Sequence, residues 1–265
     1  MDGNDRKRYP SDLSDAEWNI IEPLLPDDKY KLGGPQKTPL RDIMDAIFYI
    51  NRTGCQWRYL PNDFPPWQTV YYHYDKWRRR GVWQRINEAL GKKNRVKEGR
   101  NENPSAAIID SQSVKGTPES GAESSGYDAG KKVKGRKRHV IADTIGTLLE
   151  VLVTAASVQD RDGAKELLLK LREHLQTVLL IWADSAYSGA LVDWVKEHIR
   201  ATLLIVKRLK AAGFHVLPRR WVVERTLAWI NRFRRLCKDY ERKAYNAESM
   251  VYIASIRRLV ALLAS

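Results

Sequence analysis

Asp110, Asp184 and Glu224 are the acids placed to do chemistry. Residues 106–110 (AAIID) and 178–184 (VLLIWAD) are short apolar runs that each end in an aspartate, the pattern of a buried strand with a carboxylate at its tip. Ligands gather at strand ends in an open sheet, and an acid there is desolvated unless a cation joins it. Glu224 lies in PRRWVVERTLAWINRFRRL, helical by Val223, Leu227 and Ile230, where Arg220, Glu224, Asn231 and Arg235 would line one polar face. Three carboxylates suit two hard divalent ions, roughly 3.5 to 4 Å apart, that activate an attacking oxygen and stabilise a leaving oxygen at a phosphodiester. Around Glu224, residues 219–243 carry nine Lys/Arg against three Asp/Glu, a charge excess that would hold phosphates. Each acid alone has a plainer reading: Asp110 or Asp184 caps a turn, or Glu224 pairs with Arg220 along the helix. Asp143, beside a hairpin turn, and Asp160 and Asp162, at a helix start, are read as structural. The five histidines show no metal-ligand spacing, and no serine sits in a nucleophile-elbow pattern.

The elements that must position these acids fall into two groups. Residues 14–90 read as short helices. Ser14 and Glu17 form a capping box ahead of Trp18, Ile21 and Leu25. Thr38-Pro39 opens a second helix, with Leu40, Ile43, Met44, Ile47 and Ile50 as its apolar stripe up to Gly54. A third runs from Pro66 through Val70, Tyr71, Tyr74 and Trp77 to Arg80, with Gly81 as a glycine cap. Two such helices, the second ending in Trp77-Arg78-Arg79-Arg80, suit a helix-turn-helix that reads DNA. Residues 91–104 are polar and aperiodic and read as a linker. The expected division is therefore a helical DNA-binding or assembly domain over 1–90 and a catalytic domain over 105–265.

Within the second part, the strand ending at Asp110 is followed by a Gly/Ser/Lys-rich loop over 115–137 and a hairpin of 138–143 with 147–154 around Ile145-Gly146. A helix over 164–175, a strand at 178–181, a helix near 191–199, a strand at 202–206 and helices over 219–238 and 247–263 complete it. Three strands, helix, strand, helix, strand, helix is the order of the ribonuclease-H-like fold, an α/β class with a mixed sheet.

Charge points to the partner. Lys and Arg number 46 against 32 Asp and Glu, a formal net charge of +14, which favours a polyanion through counterion release. The run Lys131, Lys132, Lys134, Arg136, Lys137, Arg138 holds six cations and no acid and is expected to contact phosphates. Cys55 and Cys237 are far apart, without a Cys/His cluster, which fits a reducing compartment. The polar N-terminus and the absence of 18 consecutive apolar residues argue for a soluble, cytoplasmic protein with no membrane partner.

With these residues in view, the chain resembles the DDE transposases of bacterial insertion sequences, within them the insertion-sequence-five group. The likeness runs from Trp18 to about Tyr252. It is carried by Gly54-Cys55-Gln56-Trp57-Arg58, Pro66-Trp67-Gln68-Thr69-Val70-Tyr71, Ile109-Asp110-Ser111-Gln112-Ser113 and Gly135-Arg136-Lys137-Arg138-His139. Val158-Gln159-Asp160-Arg161-Asp162-Gly163, Ala183-Asp184-Ser185-Ala186-Tyr187-Ser188-Gly189 and Trp221-Val222-Val223-Glu224-Arg225-Thr226 complete it.

The resemblance implies a ribonuclease-H-like domain whose catalytic, metal-holding triad is Asp110, Asp184 and Glu224, with two Mg²⁺ ions that Mn²⁺ can replace. It implies that water attacks a phosphodiester at a transposon end and that the freed 3′ hydroxyl then attacks target DNA. Double-stranded DNA, as ends and target, is the implied partner, and a homodimer or larger assembly is expected because two ends must meet one target. Related families place Tyr, Arg, Glu and Lys along the last helix as Y-x2-R-x3-E-x6-K. Arg220 and Glu224 match, while Leu217 stands at the Tyr position and Asn231 at the Lys position, leaving Arg232, Arg234 or Arg235 to supply the cation. The expected DNA contacts are the six cations of the basic run with Arg220, Arg225, Arg232, Arg235, Arg78 and Arg79. The competing readings are a nuclease of the same fold and an inactive, transposase-derived DNA-binding protein.

Overall fold

Hydrophobic period sets the architecture: spacings of three and four dominate up to residue 97, and buried strands begin at residue 106. The computed structural model describes residues 6–26, 38–121, 124–206 and 220–265. Helix α1 (Asp15–Ile21) opens with the expected capping box, Ser14 Oγ accepting from Glu17 N at 3.2 Å and Glu17 Oε2 accepting from Ser14 N at 2.9 Å. Helix α2 (Leu40–Thr53) stops at Gly54, whose φ of 76° a side chain would resist. Helix α3 (Trp67–Arg79) ends on the expected glycine cap, left-handed Gly81, which is also the N-cap of α4 (Val82–Lys97).

Helix α4 runs on to Lys97 and so corrects the first half of the linker expected over 91–104. Its apolar stripe, Val82, Trp83, Ile86 and Leu90, gives way there to buried Gly91, Asn94 and Arg95, so the last turns read as aperiodic. Asn87 Nδ2 donates to Leu148 O at 2.8 Å, and Arg95 Nη1 lies 2.7 Å from Asp143 Oδ2. A Cβ on Gly91 would sit 2.9 Å from the Thr147 methyl, so glycine here permits close approach to the neighbouring turn.

Strands β1 (Ala106–Lys115), β2 (Gly126–Asp128), β3 (Val133–Asp143), β4 (Leu148–Ala155), β5 (Leu180–Ala183) and β6 (Thr202–Ile205) form one mixed sheet. Its order is β4-β3-β1-β5-β6, with β2 pairing the start of β3. β1 runs antiparallel to β3 and parallel to β5, and β5 is parallel to β6. The β3–β4 hairpin turns at Gly146 (φ 87°) as expected.

One face of the sheet carries α5 (Asp160–His174) and α6 (Ala190–Trp194), packed on Ala107, Ile109, Ile141 and Ile181. The other carries α7 (Arg220–Ile230) and α8 (Ala244–Ala264), and there Ile108, Val140, Ala142 and Trp182 join one continuous core with the buried residues of α1 to α4.

Three local expectations change. The region 115–137 is loop only in part: β1 continues to Lys115, β2 spans Gly126–Asp128, and the basic run enters β3 at Val133. Asp110 therefore lies inside a strand rather than at its tip. Helix α7 ends at Ile230 and the chain turns through a short 3₁₀ segment, Arg234–Leu236, so Asn231 and Arg235 do not extend the face of Glu224.

Candidate active site

The parallel pairing of β1 with β5 places the two aspartates. Ala106 pairs with Leu180, Ala107 with Ile181 and Ile108 with Trp182. The pairing ends at Ile108 and Trp182, two residues before Asp110 and Asp184, so both acids follow directly from adjacent strands. Side chains alternate along both strands, and Ile108 and Trp182 enter the core shared with α7 and α8. The same alternation gives Asp110 and Asp184 that face, and both are half-buried.

Local hydrogen bonds fix each aspartate. Asp184 Oδ1 accepts from Ala186 N at 2.8 Å and caps the turn Ser185–Tyr187, while Asp110 Oδ1 accepts from Ser111 N at 2.8 Å. The capping role foreseen for Asp184 is thus real, and it orients the carboxylate.

Glu224 belongs to the helix on this face but stands apart. Helix α7 packs against β1 and β3. It presents Val222, Val223, Thr226 and Leu227 inward, leaving Glu224 exposed on its flank. Thr226 Oγ1 donates to Gly146 O at 3.0 Å and Arg225 Nη2 to Ile145 O at 3.1 Å, which pins α7 to the β3–β4 turn. Among the described residues no three or more His, Cys, Asp or Glu side chains gather as a metal cage. The paired carboxylates Asp110 and Asp184 fit a hard divalent ion by donor type, whereas the third expected ligand is not drawn in beside them.

Sequence reasoning missed the groups behind this pair. Tyr187 is buried, and burial first, then the negative charges of Asp110, Asp160 and Asp184, hold its phenol well above its ordinary range. Asp160, at the first turn of α5, accepts from Ser111 Oγ at 2.8 Å and lies 3.0 Å from Lys137 Nζ. Although burial opposes it, these two hydrogen bonds bring the Asp160 carboxyl below the usual range. Lys131 Nζ reaches Ser111 O at 3.2 Å, next to Asp110. His139, fully buried, is pushed down to about 4 by burial and is neutral at pH 7. A Cβ on Gly163 would come 2.2 Å from its ring, so glycine at that point of the Val158–Gly163 motif lets α5 rest on β3. Strand alternation from Ser111 and helix periodicity from Asp160 were both legible; their meeting was not.

The basic run divides by the pleat of β3. Arg136 and Arg138 are each 1% exposed. Arg136 Nη1 lies 3.1 Å from Asp239 Oδ2 and donates to Glu241 O at 2.6 Å. Arg138 Nη1 donates to Leu236 O at 2.8 Å, and burial brings its guanidinium down to about 10. Lys137, on the opposite face, also donates to Val158 O at 2.8 Å. Arg235 Nε sits 2.6 Å from Glu241 Oε1, and half-buried Arg78 pairs with Asp75 at 2.6 Å and lies over Tyr245. The DNA contacts expected of Arg136, Lys137, Arg138 and Arg235 are therefore corrected, because these side chains are buried and turned to partners inside the protein, while half-buried Arg78 shares Asp75 with Arg79. Lys131, Lys132, Lys134, Arg79 and Arg232 remain on the surface. Arg225 is layered between Trp221 and Trp229, 4.4 and 4.5 Å from the ring centroids. Leu217 and the side chain of Arg220 lie outside the described residues.

Comparison with known proteins matches residues 101–257 to the family model described as "Transposase DDE domain". The chain belongs to this family. A second model, "Putative transposase of IS4/5 family", matches residues 13–87, in agreement with the insertion-sequence-five resemblance. A Burkholderia cepacia protein named "Putative transposase for insertion sequence element IS402" is 35% identical over 123 residues, covering 42% of this chain and 56% of that one. The chain thus spans little more than half of that relative's length. A second protein of the same organism, "Insertion element IS402 uncharacterized 16.2 kDa protein", is 32% identical over 108 residues, 39% of this chain and 72% of its own length. No solved structure matches the chain. As a DDE transposase domain it carries the ribonuclease-H-like fold, and the mixed sheet between helical layers is that fold. Among the described residues no helix is long and apolar enough to cross a membrane.

Proposed function

We propose that the chain is an active DNA transposase that cuts at insertion-sequence ends and joins the freed 3′ end to target DNA. The observation that carries this reading is that Asp110, inside β1, and Asp184, directly after β5, belong to neighbouring parallel strands inside a region that matches the DDE domain. Asp110 and Asp184 would hold divalent metal, Mg²⁺ in the cell with Mn²⁺ as a substitute, and Glu224 would complete the set from the same face. When bound, such ions polarise the scissile phosphate and lower the pKa of an attacking water.

The chain's own residues do the positioning. The Ala186 and Ser111 amides orient the two aspartates, and Lys137 with Ser111 holds Asp160 behind them. Helix α7 is pinned at Ile145 and Gly146, and Glu224 would have to swing from its exposed flank toward the aspartates to join them. Lys131, Lys132, Lys134, Arg79 and Arg232 are the surface cations that would hold double-stranded DNA. In this reading residues 1–90 bind ends or mediate assembly, residues 105–265 catalyse, and a homodimer or larger complex forms on DNA in the cytoplasm.

The test is incubation of the full chain with end-containing donor and supercoiled target DNA in Mg²⁺ or Mn²⁺. Donor strands found covalently attached to target support the proposal. Cleaved donor that is never joined would favour a nuclease, and specific binding without any cutting would favour a DNA-binding protein.

A further inference from the structure

At the far end of β1 from the helical layer, the chain builds an open groove of about 590 Å³ lined by Lys115, Thr117, Ser120, Ser125 and Lys134. Its walls are held by the chain itself. Gly116 N donates to Lys134 O at 3.1 Å and Asp239 N to Lys115 O at 2.9 Å. Ser120 Oγ donates to Thr117 O at 2.6 Å and accepts from Thr117 N at 2.9 Å, and Thr117 Oγ1 donates to Asp239 O at 3.3 Å. Gly135, with φ 156°, makes the close passage possible, since a Cβ there would meet Val114 O at 2.1 Å.

The cations lining this groove differ from their neighbours on β3. Arg136, Lys137 and Arg138 are consumed by internal partners, yet Lys115 and Lys134 are exposed and, among the described residues, form no ion pair or side-chain hydrogen bond. Two ammonium groups that pair with no acid among the described residues, on a preformed concave wall, match one class of ligand well, the phosphodiester backbone. We propose that this groove seats a backbone phosphate of the bound DNA. The inference rests on the transposase reading above and adds a place to it. Lys115 is an odd five residues beyond Asp110 on β1, so its side chain leaves the sheet on the opposite face and the contacted phosphate is a separate one from that being cut.

The experiment measures binding of the full chain to a linear duplex across a salt series, with chelator present so that no strand is cut. Lys115→Gln/Lys134→Gln is compared with wild type and with Lys93→Gln/Lys196→Gln, which removes the same charge from exposed positions elsewhere. The groove variant should flatten the dependence of log K on log salt by about 0.9, the value for one lost phosphate contact, with the control unchanged. A single methylphosphonate walked along the strand should weaken wild-type binding at one position and leave the groove variant indifferent there. An unchanged slope, or an equal loss in both double variants, would overturn the groove while leaving the transposase reading intact. Wild-type protein that binds no duplex at all would overturn both.

Discussion

The strands that carry Asp110 and Asp184 and the basic run on β3 are adjacent in the sheet and opposite in use. β1 and β5 bring two acids side by side on one face, half-buried and held by backbone amides. β3 brings Arg136, Lys137 and Arg138, which on the linear chain look like the more obvious ligand site. The pleat sends Arg136 and Arg138 into a pocket of carbonyls with Asp239 and Glu241 at its edge, and sends Lys137 to Asp128 and Asp160 on the other side. The lesson is that density of charge does not mark a surface. A cation run in a central strand must be neutralised internally, because an unpaired buried charge costs several kcal/mol. A pair of acids on neighbouring strands is the rarer arrangement, and the one that calls for a cation from outside.

The contrast can be broken at either end. Asp184→Asn keeps size but weakens metal binding, and should cost roughly 10³-fold in strand cleavage, the scale of several kcal/mol of charge stabilisation. Unfolding midpoints should barely move, and cleavage at the wild-type rate would remove the acid pair from the chemistry. Arg136→Ala should do the reverse: about 3 to 5 kcal/mol of stability lost in urea denaturation as Asp239 is left buried without its partner. A variant of normal stability with weakened DNA binding would show that the β3 cations face ligand after all.

A pH series sharpens the comparison between buried groups. Burial lifts the Asp45 carboxyl to about 6, so its contribution is complete below about pH 4 and is lost as pH rises through 6. Burial lowers His139 to about 4, so its contribution is complete above about pH 6.5 and is lost as pH falls through 4. The two oppose each other over the same window. Asp45→Asn should therefore expose the histidine's effect, with stability falling between pH 6.5 and 4 by on the order of 2 kcal/mol more than in wild type. Parallel curves for the two proteins would show that Asp45 does not titrate there. The smallest effect is expected from Arg232→Gln, which should flatten the salt dependence of DNA binding by about 1 with cleavage chemistry otherwise retained. No change in slope would place Arg232 away from DNA.

Much was legible in the residues alone. The capping box at Ser14 and Glu17, the stripe of α2, the hairpin at Gly146 and the apolar strands before Asp110 and Asp184 are all written in local spacing, because each depends on contacts a few residues apart. The resemblance of the motifs fixed the family independently of any coordinates. Tertiary structure decided which charges face a ligand. The helix over 91–97 escaped notice because its docking face is Gly91, Asn87 and Arg95, whose partners lie on the β3–β4 turn about fifty residues away in the chain. The early end of α7, the burial of Arg136 and Arg138, the meeting of Asp160 with Ser111 and the unclaimed lysines at the end of β1 share one physical origin. Each is set by which side chains the sheet's register brings opposite one another, and register is a property of pairing between distant segments, not of either segment alone.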